Sequence, residues 1–214
     1  MEEVVISITK KEVETKLIDS LLALLPNEEF VLRKKDKRIV HKTKIGFESV
    51  GFRLINYWPY CIEIDGVGIS IRFNAVEEII NPIKVKNGLN ASMEFSKTSV
   101  TIGNYQEFKV KVFNEKDVSN FIFAYINKIK KNCVSFFSKY QDIEDVNVYY
   151  KNIISNNADT INPIMTSLTL IRLCKDKDFD EKKIKYRQIL QPLDGMEEHT
   201  FSAYDDLVEY LSRL

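Results

Sequence analysis

The chain has 214 residues, 44% of them hydrophobic and 29% charged, a composition that excludes a disordered polymer and predicts a folded globular chain. Thirty-one basic residues balance thirty-one acidic ones, with 17 against 15 in residues 1–114 and 14 against 16 in the rest, so neither half is a dedicated nucleic-acid coat. No apolar run approaches the roughly 20 residues of a bilayer span. The opening Met1, Glu2, Glu3 and short apolar patch at residues 4–8 lack the basic lead and long apolar core of a secretory signal. The expectation is a cytoplasmic protein with no membrane contact. Cys61, Cys133 and Cys174 are widely spaced, form no Cys-x-x-Cys pair and read as buried free thiols in a reducing compartment.

Thr9 followed by Glu12 is a capping-box pattern, and Val13, Leu17, Leu21, Leu24 and Leu25 recur at helical spacing, predicting a helix over residues 10–25 that Pro26 ends. The period then shortens. Phe30 and Leu32 alternate, residues 38–47 and 51–57 read as extended, and Asp36 with Lys37 marks a turn between strands. From Tyr60 to Phe73 apolar residues alternate on either side of Asp65 and Gly66, a pair suited to a two-residue turn, which predicts a β-hairpin with its turn at residues 65–66. Asn74 and Glu77 open a short helix that Asn81 and Pro82 should close, and extended segments follow at 92–97, 99–102 and 105–113. In the last of these Phe108, Val110 and Val112 face away from Lys109 and Lys111.

Beyond Asn114 alternation disappears. A stripe through Val118, Phe121, Ile122, Tyr125, Ile126, Ile129, Cys133, Phe136, Phe137 and Tyr140 predicts one long helix. Helices are also expected around Val146 to Ile153, from Asn162 and Pro163 to Cys174, from Asp178 or Asp180 to Leu190, and through Leu207 to Leu211. The fold class is therefore α+β, with a mainly antiparallel sheet in the N-terminal half packed with helices and an all-helical C-terminal half. No biased linker divides the chain, so residues 1–214 read as a single body, with a sheet-containing part at 1–141 and a helical part at 142–214 as the alternative.

Motifs for chemistry are sparse. His41 and His199 have no ligand spacing that would hold a metal, Gly66 and Gly68 lack the third glycine and following helix of a dinucleotide fingerprint, and no P-loop or nucleophile elbow is present. The sequence calls for no cofactor and no metal. Glu107 and Lys109 form a Glu-x-Lys on one strand face, the pattern with which metal-dependent nucleases polarise a phosphate. Its second carboxylate would have to come from Glu94 or the distant Asp65, and the plain alternative is an exposed, solubilising strand face. Arg33, Lys34, Lys35, Lys37, Arg38, Lys42 and Lys44 make a basic stretch in which Lys34, Lys35 and Arg38 are the candidate nucleic-acid contacts. Lysine-rich strands equally protect a sheet edge. Tyr57, Trp58 and Tyr60 form the most aromatic short stretch and contain the only tryptophan. They read either as an anchor of sheet to helix or as a partner-binding loop.

The order of an early helix, a run of antiparallel strands and a helical second half, with no catalytic motif, resembles families of small bacterial immunity proteins that neutralise co-encoded toxins. That resemblance rests on organisation and assigns no residue a role. It implies a cytoplasmic, non-enzymatic inhibitor whose partner is a toxin domain. The alternatives are a nuclease or other phosphate-acting enzyme using Glu107 and Lys109, and a structural or adaptor protein with a different partner.

Overall fold

The computed structural model describes residues 6–25, 29–89, 92–157, 160–190 and 198–214, with the backbone alone at 155–157. The expectation for Pro26 and much of the polar run before His199 lie outside the described residues. The fold is α+β as expected: a five-stranded antiparallel sheet in the first half and helices that dominate the second. Packing divides the chain into two compact units, residues 1–71 with 102–139, and residues 72–101 with 140–214.

The first unit opens with α1, Lys10–Leu22. The Thr9 hydroxyl accepts the Glu12 N–H at 3.3 Å while the Glu12 carboxylate accepts the Thr9 N–H at 2.7 Å, which satisfies two N–H groups that the helix leaves unpaired. Strands β1 (Val31–Arg33), β2 (Arg38–Lys42), β3 (Gly46–Tyr57), β4 (Cys61–Phe73) and β5 (Ile102–Val112) follow in a sheet of order β1-β2-β3-β4-β5. Each strand pairs with its sequence neighbour. Between β4 and β5 lie α2 (Asn74–Lys86) and α3 (Met93–Thr98), and α4 (Glu115–Lys139) comes after β5.

Helices α1 and α4 pack on each other and on one face of the sheet. Val13, Leu17 and Leu21 from α1, Ile39, Val50, Ile64 and Ile69 from the sheet, and Val118, Phe121, Ile129 and Cys133 from α4 are buried there. Burying each such aliphatic side chain stabilises the fold by about 1.5–3 kcal/mol. Phe108 sits edge-on to Phe121, with centroids 5.6 Å apart, as the alternation in β5 predicts. Asn114 caps α4 by accepting the Asp117 N–H at 3.1 Å.

Three local expectations are corrected. Asp65 and Gly66 do not form a turn; they lie in the middle of β4, where the pairing to β5 slips at a β-bulge between Ile64 and Gly66. A bulge adds one residue and so exchanges the faces of the alternation, as a two-residue turn also would. The apolar set 62, 64 then 67, 69, 71 fits either. Residues Met93–Thr98 form α3 instead of a strand, with the N-cap Ser92 hydroxyl accepting the Phe95 N–H at 3.4 Å. Helix α2 runs through Asn81 and Pro82 to Lys86, because buried Asn81 is tied at 2.7 Å to Glu77 one turn earlier and the helix packs on others of its unit.

In the second unit α5 (Ile143–Asn157), α6 (Ile161–Leu173), α7 (Phe179–Leu190) and α8 (Glu198–Ser212) join α2 and α3. Helix α6 is central, touching α2, α5, α7 and α8, and residues Ile164 to Ile171 are buried on every side. A helix hydrophobic all round belongs in the middle of a bundle. Among the described residues no helix is long and apolar enough to cross a membrane.

Candidate protein-binding surface

Strands β3 and β4 are joined by a tight turn at residues 58–60, closed by the Tyr60 N–H donating to the Tyr57 carbonyl at 2.7 Å, with a cis peptide before Pro59. The turn stands at the end of two long strands. Tyr57 is 45% exposed, Trp58 69% and Tyr60 73%. Trp58 does not anchor the sheet to a helix. Large aromatic side chains bury most of their area in folded chains, and three of them in water at one turn make an apolar projection with polar tips.

On the sheet face reached from this hairpin, opposite to α1 and α4, Asp65 is the hub. Its carboxylate accepts from the Tyr105 hydroxyl at 2.5 Å, pairs with Arg53 at 2.9 Å and is bound by the Lys109 ammonium. Lys109 also reaches Glu107 at 3.1 Å. Hydrogen bonds from Lys109 and Tyr105 hold the Asp65 carboxyl below its ordinary range, and burial together with the Asp65 hydrogen bond pushes the Tyr105 phenol up to about 12. Counted on from Ile62 and Ile64, alternation places Asp65 on this face, and the bulge leaves Gly66 on it as well, opposite Glu107. The structure thus brings Glu107 and Lys109 beside Asp65, the carboxylate that sequence distance made a weak choice. Among the described residues no group of three His, Cys, Asp or Glu side chains is placed to hold a metal ion.

The basic stretch does not form one surface. Lys34 and Lys35 are exposed in the β1–β2 turn, Arg38 is half-buried at the start of β2, and Lys42 and Lys44 lie at and beyond its other end. His41, half-buried, bonds to Glu48 at 2.9 Å and to Glu29 at 2.8 Å and stacks near Phe30, a structural role. Cys61 and Cys133 are buried, and Cys174 is half-buried.

One polar cluster escaped sequence reasoning. In the second unit the buried Glu77 carboxylate accepts from Asn81 and Ser99 at 2.7 Å each and from Thr101 at 3.1 Å. Arg72 bonds Asn74 at 2.8 Å, the Ser99 hydroxyl at 3.1 Å and the Ser96 carbonyl. The i, i+4 spacing of Glu77 and Asn81 is a legible helix-face pair; the seryl and threonyl donors come from a distant stretch of chain. Such a network fixes α3 and the approach to β5 against α2, since a buried carboxylate is tolerated only when hydrogen-bonded. No family model, curated protein sequence or solved structure matches the chain.

Proposed function

We propose that this chain is a cytoplasmic protein-binding protein that contacts its partner through the β3–β4 turn, and that the partner is a toxin domain encoded beside it, which it inhibits without doing chemistry. The observation that carries the reading is the joint exposure of Tyr57, Trp58 and Tyr60 on one hairpin. Tyrosine and tryptophan supply large contact area at small conformational cost and dominate the energetic centres of protein interfaces. An adaptor role with another partner would use the same projection. Co-expression with the neighbouring gene product tests the reading: a complex that forms with the wild type and is lost in Trp58→Ala/Tyr60→Ala supports it, and a complex indifferent to both changes removes it.

The second reading, a phosphate-acting enzyme, is favoured by the meeting of Asp65, Glu107 and Lys109 on one face. Against it, both Asp65 oxygens already accept from Arg53, Tyr105 and Lys109, so a cation would have to displace two bound positive charges. The same contacts suit a purely structural hub. Magnesium- or manganese-dependent nicking of DNA or RNA that disappears in Glu107→Gln would establish the enzyme reading over the binding one.

A further inference from the structure

A cleft of about 480 Å³ opens at the start of β2, where β3 runs on past its last pairing with that strand, lined by Lys10, Glu14, Asp36, Lys37, Arg38, Gly51, Phe52, Arg53, Leu54, Gly68 and Tyr105. Of its four cations, two are already matched: Lys37 pairs with Glu14 at 2.9 Å and Arg53 with Asp65 at 2.9 Å. The Asp36 carboxylate is matched by Arg33, also at 2.9 Å. Arg38 and Lys10 make no salt bridge or side-chain hydrogen bond among the described residues. The cleft therefore carries two cations that no salt bridge matches in a half-enclosed space, with only the charge of Asp36 acting favourably on Arg38 from beyond ion-pair distance.

The position of Arg38 is built into the sheet. Its side chain lies flat across the neighbouring strands: Cγ is 3.1 Å and Nε 3.4 Å from where a Cβ of Gly51 would stand, and Nη2 is 3.9 Å from the same point at Gly68. Glycine at 51 leaves the room the arginine stem occupies, and Gly68 keeps the floor beneath its end open. Stripping water from a guanidinium without a paired anion is unfavourable, and burial pulls the Arg38 pKa below its ordinary value although the Asp36 charge acts against it. An anion in the cleft would relieve that cost.

We propose that this cleft binds a phosphate group carried by a small molecule, gripped by the Arg38 guanidinium with Lys10 as the second cation. The planar fork of arginine matches two phosphate oxygens at once, and lysine adds a point charge. The volume lies in the range of small-molecule sites. This site is separate in its residues from the aromatic turn.

Titration calorimetry on the full chain, with inorganic phosphate and adenosine monophosphate as probes against chloride at matched ionic strength, tests it. Saturable binding of either probe is expected, tighter for the monophosphate ester if the ligand is an ester and tighter for inorganic phosphate if the free ion is the ligand. Arg38→Gln should weaken it by about tenfold or more, with Arg38→Lys recovering only part because the fork is lost. Lys10→Gln, on the first turn of α1 where no packing is disturbed, should weaken it several-fold and keeps the test decisive should Arg38→Gln not fold. No saturable binding by the wild type, or equal affinity in wild type and Lys10→Gln, would overturn the proposal.

Discussion

Tyr105 lies across Gly66: a Cβ at position 66 would stand 2.3 Å from the Tyr105 hydroxyl and 2.5 Å from the Gln106 carbonyl oxygen. The same hydroxyl donates to Asp65 at 2.5 Å. The bulge, the glycine and the Asp65 hub are thus one device. Asp65 faces away from Ile64, the extra residue sets Gly66 beside it on that face, and the missing side chain at 66 lets Tyr105 come down to meet the carboxylate.

Gly66→Ala should therefore destabilise the protein by about 1–3 kcal/mol, the usual effect of forcing atoms into filled space, because the Gln106 carbonyl belongs to the β5 backbone and cannot swing aside. The denaturant midpoint measures it. An unchanged midpoint would mean that Tyr105 and β5 are not held where they are described.

Asp65 also predicts an acid limb. Lys109 and Tyr105 lower its folded-state pKa from the ordinary 3.8, so the stabilisation it provides is present above that value and is lost as pH falls through the depressed one. Stability should decline below about pH 4. Lys109→Met should make the decline shallower, and urea midpoints collected from pH 5 to pH 2 would show it; parallel profiles for the two proteins would argue that Lys109 does not hold the carboxylate.

His41 works in the opposite direction. Burial lowers its pKa, but hydrogen bonds and charges from Glu48 and Glu29 outweigh that, and the net value is raised above 6.5. A raised folded-state pKa gives stability that is complete below the unfolded value and fades as pH rises through the folded one. The wild type should lose stability as pH climbs from about 6.5, and His41→Gln should remove that slope. A slope that survives the substitution would assign it to other groups.

Periodicity made much of this fold readable. The Thr9–Glu12 box located the start of α1, and the stripe from Val118 to Phe137 located α4, because long helices repeat their signal many times. Asp65 and Gly66 were misread because a turn and a bulge exchange faces alike, and only a β5 that pairs along both sides of the bulge decides between them. Pro82 stands inside α2 because packing on α6 and α8 outweighs one lost hydrogen bond, which no local pattern contains. The surface was partly visible: the aromatic run at 57–60 could be named, but whether Trp58 faced a helix or water depended on where its hairpin ended. The Asp65 hub joins residues from three strands and the Arg38 cleft residues from four strands and α1, so neither could be assembled before the sheet.

The central claim is that the β3–β4 turn is a protein contact, and it is tested most directly by the affinity of the chain for a co-encoded toxin domain, the partner proposed for it. In Trp58→Ala/Tyr60→Ala the unfolding free energy should stay within the range of a neutral surface change, about 0.5 kcal/mol, since neither ring is packed in the core. The dissociation constant should rise by about 30-fold or more, the loss of roughly 2 kcal/mol expected of an interface centre. Full affinity in a variant that folds as well as the wild type would contradict the account.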